Sequence, residues 1–193
     1  REVAAACTGA LQAGATEIWV QDAHGSARNL DPSALPAPTR LVRGWSGHPL
    51  DMVQALASDF DAVLMVGYHA AANSGGNPLA HTIHSGRLTH VRVNGADASE
   101  FLLYAYAAHL RRVPVAFLSG DETICAEVQG TNPAITTVPV KKGVGGSTIG
   151  LHPDQAAEAI RLGVGAALRG DLSACALELP ERFDLELRYV NNR

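Results

Sequence analysis

Two apolar segments of this chain each end in a histidine. Residues 17–24 read Glu-Ile-Trp-Val-Gln-Asp-Ala-His, and residues 62–69 read Ala-Val-Leu-Met-Val-Gly-Tyr-His. Short apolar runs rich in branched side chains predict buried strands. Ligands of open α/β sheets bind beyond the carboxyl ends of the strands, so His24 and His69 are placed to share one site. Imidazole nitrogens at such a position can bind a metal ion such as zinc.

Imidazole and carboxylate side chains are the main candidate metal ligands. His24, His69 and Glu100 form the first set, because zinc accepts both ligand types and a catalytic zinc leaves one position open for water. The alternatives are Asp22, His81 and His84. A lone histidine is more often a surface or core residue than a ligand, so the residue pattern leaves both interpretations open for the two strand-end histidines. The histidines interpreted as ordinary polar residues are His48, His90, His109 and His152.

Glu100 also has a purely structural interpretation. Asp97 precedes it by three residues, and a helix that begins at Asp97 would let the two side chains form a capping box. The residues alone favour this helix cap over a metal ligand. Asp22 is similarly open to two interpretations, because its carboxylate can hydrogen-bond its own turn or orient the ring of His24.

Helical and strand patterns alternate along the chain, which is typical of a mostly parallel sheet covered by helices. Helices are predicted from the start of the chain to Gly14 and over residues 49–57, 97–112, 122–128 and 153–168. Strands are predicted over residues 17–24, 62–66, 89–93, 115–118, 135–140 and 183–189. We therefore expect a single α/β domain over residues 1–193, with helices on both faces of the sheet.

The composition indicates a folded protein without a large charged surface. The 193 residues are 47% hydrophobic and 18% charged, and the net charge is −4. Because there is no long Lys/Arg run, nucleic acid is not an expected partner. No apolar segment is long enough to cross a bilayer and no signal-peptide pattern is present, so we expect a cytoplasmic location and no membrane partner. The three cysteines, Cys7, Cys125 and Cys175, are widely separated and are interpreted as core residues.

A glycine-rich segment over residues 143–150 suggests a rival function. It lies between a predicted strand and a predicted helix, where backbone N–H groups can bind an anion. Its residue order matches neither the dinucleotide fingerprint nor the P-loop, in which a lysine follows the last glycine. A flexible loop near the site is the simpler interpretation. The other rival is a noncatalytic α/β domain that binds a small molecule or a metal.

Five further segments carry a family resemblance. They are residues 20–24 (Val-Gln-Asp-Ala-His), 67–70 (Gly-Tyr-His-Ala), 79–82 (Leu-Ala-His-Thr), 93–100 (Val-Asn-Gly through Glu) and 113–121 (Val-Pro-Val through Ser-Gly-Asp). In this order they resemble the zinc-dependent D-aminopeptidase family. The resemblance extends from Arg1 to about Leu168, and its specificity comes from the order and spacing of the segments together.

The resemblance implies a metal-dependent aminopeptidase that hydrolyses short peptides with an N-terminal D-amino acid. It implies two zinc ions per subunit, with ligands that match His24, His69 and Glu100. A catalytic histidine that does not bind zinc matches His81. Two metal ions can activate a bridging water and polarise the scissile carbonyl, and His81 is expected to act beside them as acid, base or nucleophile. A ring-like homo-oligomer is also implied.

The chain departs from the family pattern at three places. Family members open with a strand that carries Asp-x-Glu-Gly and supplies further zinc ligands, whereas this chain begins in what resembles the next helix, so we expect a domain truncated at its N-terminus. Tyr104 stands where the family usually has an asparagine, which is expected to alter recognition of the substrate terminus. The loop over residues 73–78 is longer than its counterpart, and His84 therefore stays an alternative to His81 for the catalytic role.

Overall fold

Helices and strands alternate along residues 1–191, the part of the chain that the computed structural model describes. The α-helices are α1 (Glu2–Gln12), α2 (Glu100–His109), α3 (Glu122–Thr131) and α4 (Pro153–Arg169). The strands are β1 (Ile18–Gln21), β2 (Thr39–Val42), β3 (Val63–Tyr68), β4 (Leu88–Val93), β5 (Ala96–Asp97), β6 (Val115–Asp121), β7 (Thr136–Val144), β8 (Ser147–Gly150) and β9 (Leu185–Tyr189). Short 3₁₀ helices occupy Pro32–Ala34, Asp51–Val53 and Leu172–Cys175.

The main sheet has the strand order β3-β6-β7-β8, and its first three strands are parallel. Two smaller sheets accompany it, a parallel pair β1-β2 and an antiparallel sheet in the order β5-β4-β9. The expected α/β class with mostly parallel pairing in the main sheet is confirmed.

Strand β6 is buried along its whole length, because helices cover both faces of the sheet. On one face, Phe117 packs in a cluster with residues of α1 and α4. On the other, Val115 and Leu118 pack with residues of α2 and α3. A register shift at Ala116 lets Val115 and Phe117 point to opposite faces although they are two residues apart. The predicted two-sided arrangement of helices is therefore present.

The predicted helix over residues 49–57 is wrong. Only the 3₁₀ helix Asp51–Val53 forms there. The side chain of Gln54 instead hydrogen-bonds the Gly44 carbonyl and the side chain of Gln21, and the ring of His48 accepts from the Leu50 amide. Such bonds to side chains and to distant backbone offer this segment an alternative to helical pairing.

Three strands, β2, β5 and β8, were not predicted, and β5 lies where a helix was predicted to begin. Strand β2 pairs with β1, and the run of strand-forming residues between Pro38 and Gly44 is the signal that points to it. Strand β8 forms a hairpin with β7, turning at Gly145 with φ of +57°. The glycine-rich segment is therefore a hairpin, and the strand-to-helix loop on which the nucleotide-binding alternative rested does not form there.

The turn at Asn94 and Gly95 and the burial of the three cysteines agree with the sequence predictions. Asn94 and Gly95 have φ of +52° and +83°, as a two-residue hairpin turn between β4 and β5 requires. The three cysteines are buried and unpaired. Among the described residues, no helix is both long and apolar enough to span a bilayer.

Candidate metal centre

The fold brings His69, His81 and Glu100 together from three separate parts of the chain. One potential ligand atom from each of them lies within 4.8 Å of the others. Glu100 is buried and the two histidines are partly buried, so the cluster is not on a fully exposed face. This cluster contains two of the three predicted metal ligands and the predicted catalytic histidine.

His69 follows the last residue of β3, at the carboxyl end of a parallel strand, as predicted. Its ring atom Nδ1 lies 3.2 Å from the carbonyl oxygen of Ala70. A carbonyl can only accept, so Nδ1 carries the proton and the lone pair is on Nε2. Nε2 in turn lies 3.9 Å from Oε2 of Glu100.

His81 shows the same pattern. Its Nδ1 donates to the carbonyl of Leu79 at 2.7 Å, and its Nε2 lies 4.0 Å from Oε1 of Glu100. The rings of His69 and His81 stack, with centroids 4.3 Å apart and planes inclined by 26°. Both imidazoles therefore direct Nε2 towards the same carboxylate, and in a neutral ring this nitrogen carries the lone pair that can bind a metal or accept a proton.

Glu100 is the first residue of α2, and the capping-box interpretation of it is wrong. Asp97 lies in β5, where its carboxylate accepts from Nε of Arg92 at 2.8 Å, because the hairpin turn carries the chain into a strand first. Ser99 is the N-cap, and its hydroxyl accepts from the Leu102 amide. The helix thus begins three residues later than predicted, and the side chain of Glu100 does not cap it.

The carboxylate of Glu100 also holds the loop that carries His81. Its Oε1 accepts from the Ile83 amide at 2.8 Å. Ile83 has φ of +65°, which a β-branched residue rarely adopts, and His84 donates its amide to the carbonyl of Thr82 across a tight turn. The loop is therefore held in a strained conformation beside the cluster.

His24, the remaining predicted ligand, lies outside this three-residue cluster. It is exposed, three residues beyond the end of β1. The neighbouring Asp22 is 3% exposed and accepts from the amides of Leu30 and Asn29. Burial opposes ionisation of Asp22, yet these bonds outweigh it and lower its pKa. Of the two interpretations of Asp22, the structure supports the one in which it binds its own turn.

His84, the alternative to His81, also lies outside the cluster. Its side chain is exposed, and its Nδ1 accepts from the Gly86 amide at 3.2 Å. Although only three residues separate the two histidines, the tight turn at Ile83 directs the chain away from Glu100. The structure thus brings His81 and not His84 to the carboxylate.

Three buried polar residues support the loop between His69 and Glu100, and none was singled out from the sequence. Asp121 and Thr82 are fully buried, and Asn77 is 5% exposed. Thr82 donates to the Ala98 carbonyl at 2.8 Å and accepts from the Ala72 amide at 3.1 Å. Asp121 belongs to the Ser-Gly-Asp segment, but its apolar strand gave no signal that its carboxylate would face this loop.

Two tyrosines lie near Glu100 and both stay protonated. Burial raises the pKa of Tyr68, and the negative charge of Glu100 raises it further. The pKa of Tyr104 is raised by burial and by its hydrogen bond to Asp51. Because Tyr104 is 8% exposed and donates to Asp51, its hydroxyl is engaged within the protein. The expectation that this residue alters recognition of the substrate terminus rests on the replaced asparagine and stays a prediction.

A depression of about 300 Å³ adjoins His81. Its polar lining residues are Asn73, His81, Ser85, Thr89 and His90. A volume of this size fits a small ligand, and hydrogen-bonding groups in its walls can orient one. His81, one member of the cluster, is therefore accessible from a surface that offers polar contacts.

Comparison with known proteins agrees with this geometry. The family model described as D-aminopeptidase matches residues 1–193. The chain belongs to the D-aminopeptidase family. A D-aminopeptidase of Bacillus subtilis (strain 168) is 30% identical over 183 residues, which cover 94% of this chain and 66% of that protein.

A solved structure of the family has the same fold. The Zn-dependent D-aminopeptidase DppA from Bacillus subtilis, described as a self-compartmentalizing protease, superimposes with a TM-score of 0.90 at 28% identity. The alignment covers 98% of this chain and 69% of that chain. The present chain thus spans about two thirds of the length of these family members.

Proposed function

We propose that this protein is a zinc-dependent aminopeptidase that hydrolyses short peptides with a D-amino acid at the N-terminus. The convergence of His69, His81 and Glu100 is the observation that carries the proposal. Membership of the D-aminopeptidase family supports the reaction class. The preference for a D-residue rests on that membership and on the names of the relatives.

The donor set fits zinc. His69 and Glu100 supply one imidazole nitrogen and one carboxylate, and the Ala70 carbonyl keeps the lone pair of His69 on Nε2. We propose His24, which follows β1 as His69 follows β3, as a further ligand. Two zinc ions per subunit are proposed, and when bound they supply an activated water and polarise the scissile carbonyl.

His81 is proposed as the catalytic histidine. Its Nδ1 is committed to the Leu79 carbonyl, so Nε2 is the atom that accepts and returns a proton. His81 lines the depression, where a peptide is proposed to approach. Glu100 anchors the turn that follows His81 through the Ile83 amide, and this contact keeps the ring beside the carboxylate.

A paired substrate assay tests the proposed function. D-Ala and L-Ala p-nitroanilides are incubated with the zinc-loaded protein and with the same protein after chelation. We expect a higher kcat/KM for the D-substrate and loss of turnover on chelation. Turnover that survives chelation would contradict the zinc mechanism, and an equal or higher kcat/KM for the L-substrate would contradict the substrate class.

A homo-oligomer is also proposed, with a ring as the expected form. The support is the relative described as self-compartmentalizing, since a compartment built by a single protease requires several copies. Sedimentation velocity tests it directly, and a monomer at micromolar concentration would contradict it. The cytoplasmic location stays a prediction from the sequence.

A further inference from the structure

The buried carboxylate of Asp121 binds two parts of the chain that belong to the candidate metal centre. Its Oδ2 accepts from the Ala70 amide at 2.8 Å and from Nδ2 of Asn77 at 2.9 Å. Its Oδ1 accepts from the Ile124 amide at 2.9 Å and caps α3. A fully buried carboxylate is tolerated only when such donors satisfy it.

Each donor to Oδ2 leads to a different histidine of the cluster. Ala70 directly follows His69, and its carbonyl accepts from the ring of that histidine. Asn77 accepts the Leu79 amide on its Oδ1 at 2.9 Å, and the Leu79 carbonyl accepts from the ring of His81. One carboxylate oxygen is thus connected to both imidazoles through short hydrogen-bonded paths.

We propose that Asp121 is the positioning residue of this centre. It holds His69 and His81 in fixed positions relative to each other and determines which ring nitrogen each of them presents to Glu100. It acts at the end of β6, a strand buried along its length, so the anchor does not move with the loop. Asn77 connects Asp121 to the segment that carries His81, because it donates to Asp121 and accepts from the Leu79 amide. The consequence for zinc rests on the proposed function, whereas the positioning itself is a property of the metal-free protein.

The close packing around the anchor agrees with this role. A Cβ on Gly120 would lie 2.3 Å from the Tyr68 carbonyl oxygen, and a Cβ on Gly76 would lie 2.0 Å from the Thr123 hydroxyl. Only glycine therefore lets the end of β3 approach the end of β6, and the loop before Asn77 approach the start of α3, so closely. Both approaches place donors within reach of the Asp121 carboxylate.

Two variants separate positioning from general stability. Asp121→Ser keeps an oxygen that can cap Ile124 and removes the acceptor for Ala70 and Asn77. Asn77→Ala removes only the hydrogen bonds that connect Asp121 to the segment carrying His81. Asp171→Ser is the matched control, because Asp171 also caps a short helix by accepting the Ser173 amide, but it lies outside the centre.

Residue-resolved amide exchange on the metal-free protein gives the first readout. In Asp121→Ser we expect about tenfold faster exchange at Ala70 and Leu79, with Ile124 unchanged. In Asn77→Ala we expect the increase at Leu79 alone. An unchanged rate at Ala70 in Asp121→Ser, or the same acceleration at all three amides, would overturn the proposal. If Asp121→Ser fails to fold, the pattern in Asn77→Ala decides, and an unchanged Leu79 rate overturns the proposal.

Zinc titration gives the second readout. Loss of a partner that orients metal ligands typically costs 10- to 100-fold in metal affinity, so we expect a dissociation constant raised by about that factor in Asp121→Ser and unchanged in Asp171→Ser. Wild-type affinity in Asp121→Ser would overturn the proposal. If the wild-type protein binds no zinc, the proposed function fails, while the exchange pattern still decides the positioning role.

Discussion

Nε2 of His69 lies 3.9 Å from Oε2 of Glu100, although a loop and the strands β4 and β5 separate the two residues along the chain. Neither residue needs this approach for its local structure. His69 follows β3, which pairs with β6, and Glu100 begins a helix that Ser99 caps. The proximity of an imidazole and a buried carboxylate is thus a property of the site.

The capping role of Ser99 predicts different effects for neighbouring substitutions. Ser99→Ala should lower the free energy of unfolding by about 1–2 kcal/mol, because the Leu102 amide loses its acceptor. Glu100→Gln keeps an acceptor for the Ile83 amide and should change stability by less than about 0.5 kcal/mol in metal-free protein. Urea denaturation measures both. A larger loss of unfolding free energy in Glu100→Gln than in Ser99→Ala would indicate that Glu100 has the capping role.

Substitution of His81 should affect turnover rather than metal content. His81→Ala removes the proposed acid–base group, and such a loss typically lowers the rate 10²- to 10⁴-fold. His84→Ala is the matched control, since its exposed ring is three residues away and outside the cluster. We expect His81→Ala to keep zinc and lose most of kcat, and His84→Ala to keep both. Loss of zinc in His81→Ala would make His81 a ligand, and loss of kcat in His84→Ala would move the catalytic role to His84.

Close approach of α1 to α4 predicts that a single methyl group is destabilising there. A Cβ on Gly9 would lie 2.3 Å from the Arg161 carbonyl oxygen, so Gly9→Ala should cost about 1–3 kcal/mol. A Cβ on Gly130 in α3 would meet nothing within 4 Å, and Gly130→Ala should be neutral or stabilise by up to about 1 kcal/mol. Thermal unfolding distinguishes them. Equal shifts in Tm would contradict the packing of the two helices.

The carboxyl of Glu127 predicts a pH dependence of stability. Burial raises its pKa, the hydrogen bond from Ser99 lowers it, and the charge of Asp121 raises it, with a net upward shift. The native protein therefore holds this proton more tightly than the unfolded chain, and its contribution to stability falls as pH rises from about 4.3 through the folded pKa. Glu127→Gln keeps an acceptor for Ser99 and does not titrate. Its stability relative to the wild type should therefore increase across that window, and a difference independent of pH would contradict the shift.

The sequence predicted the elements whose residue patterns are complete within one segment. The amphipathic α4 and the apolar β6 were located to within a few residues, and the turn at Asn94 and Gly95 was recognised from the residue pair. The segment at 49–57 was misjudged because its hydrogen bonds go to distant partners such as Gly44. Local pattern carries no information on such bonds.

The candidate site could be predicted only in part, because some of its residues depend on contacts between distant segments. His69 was found because a strand end is visible in the sequence, and His81 and Glu100 were selected through the family resemblance. Asp121 was missed as a functional residue because its role depends on which loop packs over the end of β6. The strained turn at Ile83, which separates His81 from His84, is likewise fixed by a hydrogen bond that the Ile83 amide donates to Glu100, a contact that only the folded chain contains.

The zinc content of the intact protein, measured by elemental analysis after purification without added chelator, tests the central claim most directly. The wild type should retain zinc, and His69→Ala and Glu100→Gln should each lose most of it, because each variant removes one donor from the cluster. His109→Ala, at the end of α2 and outside the cluster, should retain the wild-type amount. Wild-type zinc content in both His69→Ala and Glu100→Gln would contradict the assignment of this cluster as the metal centre.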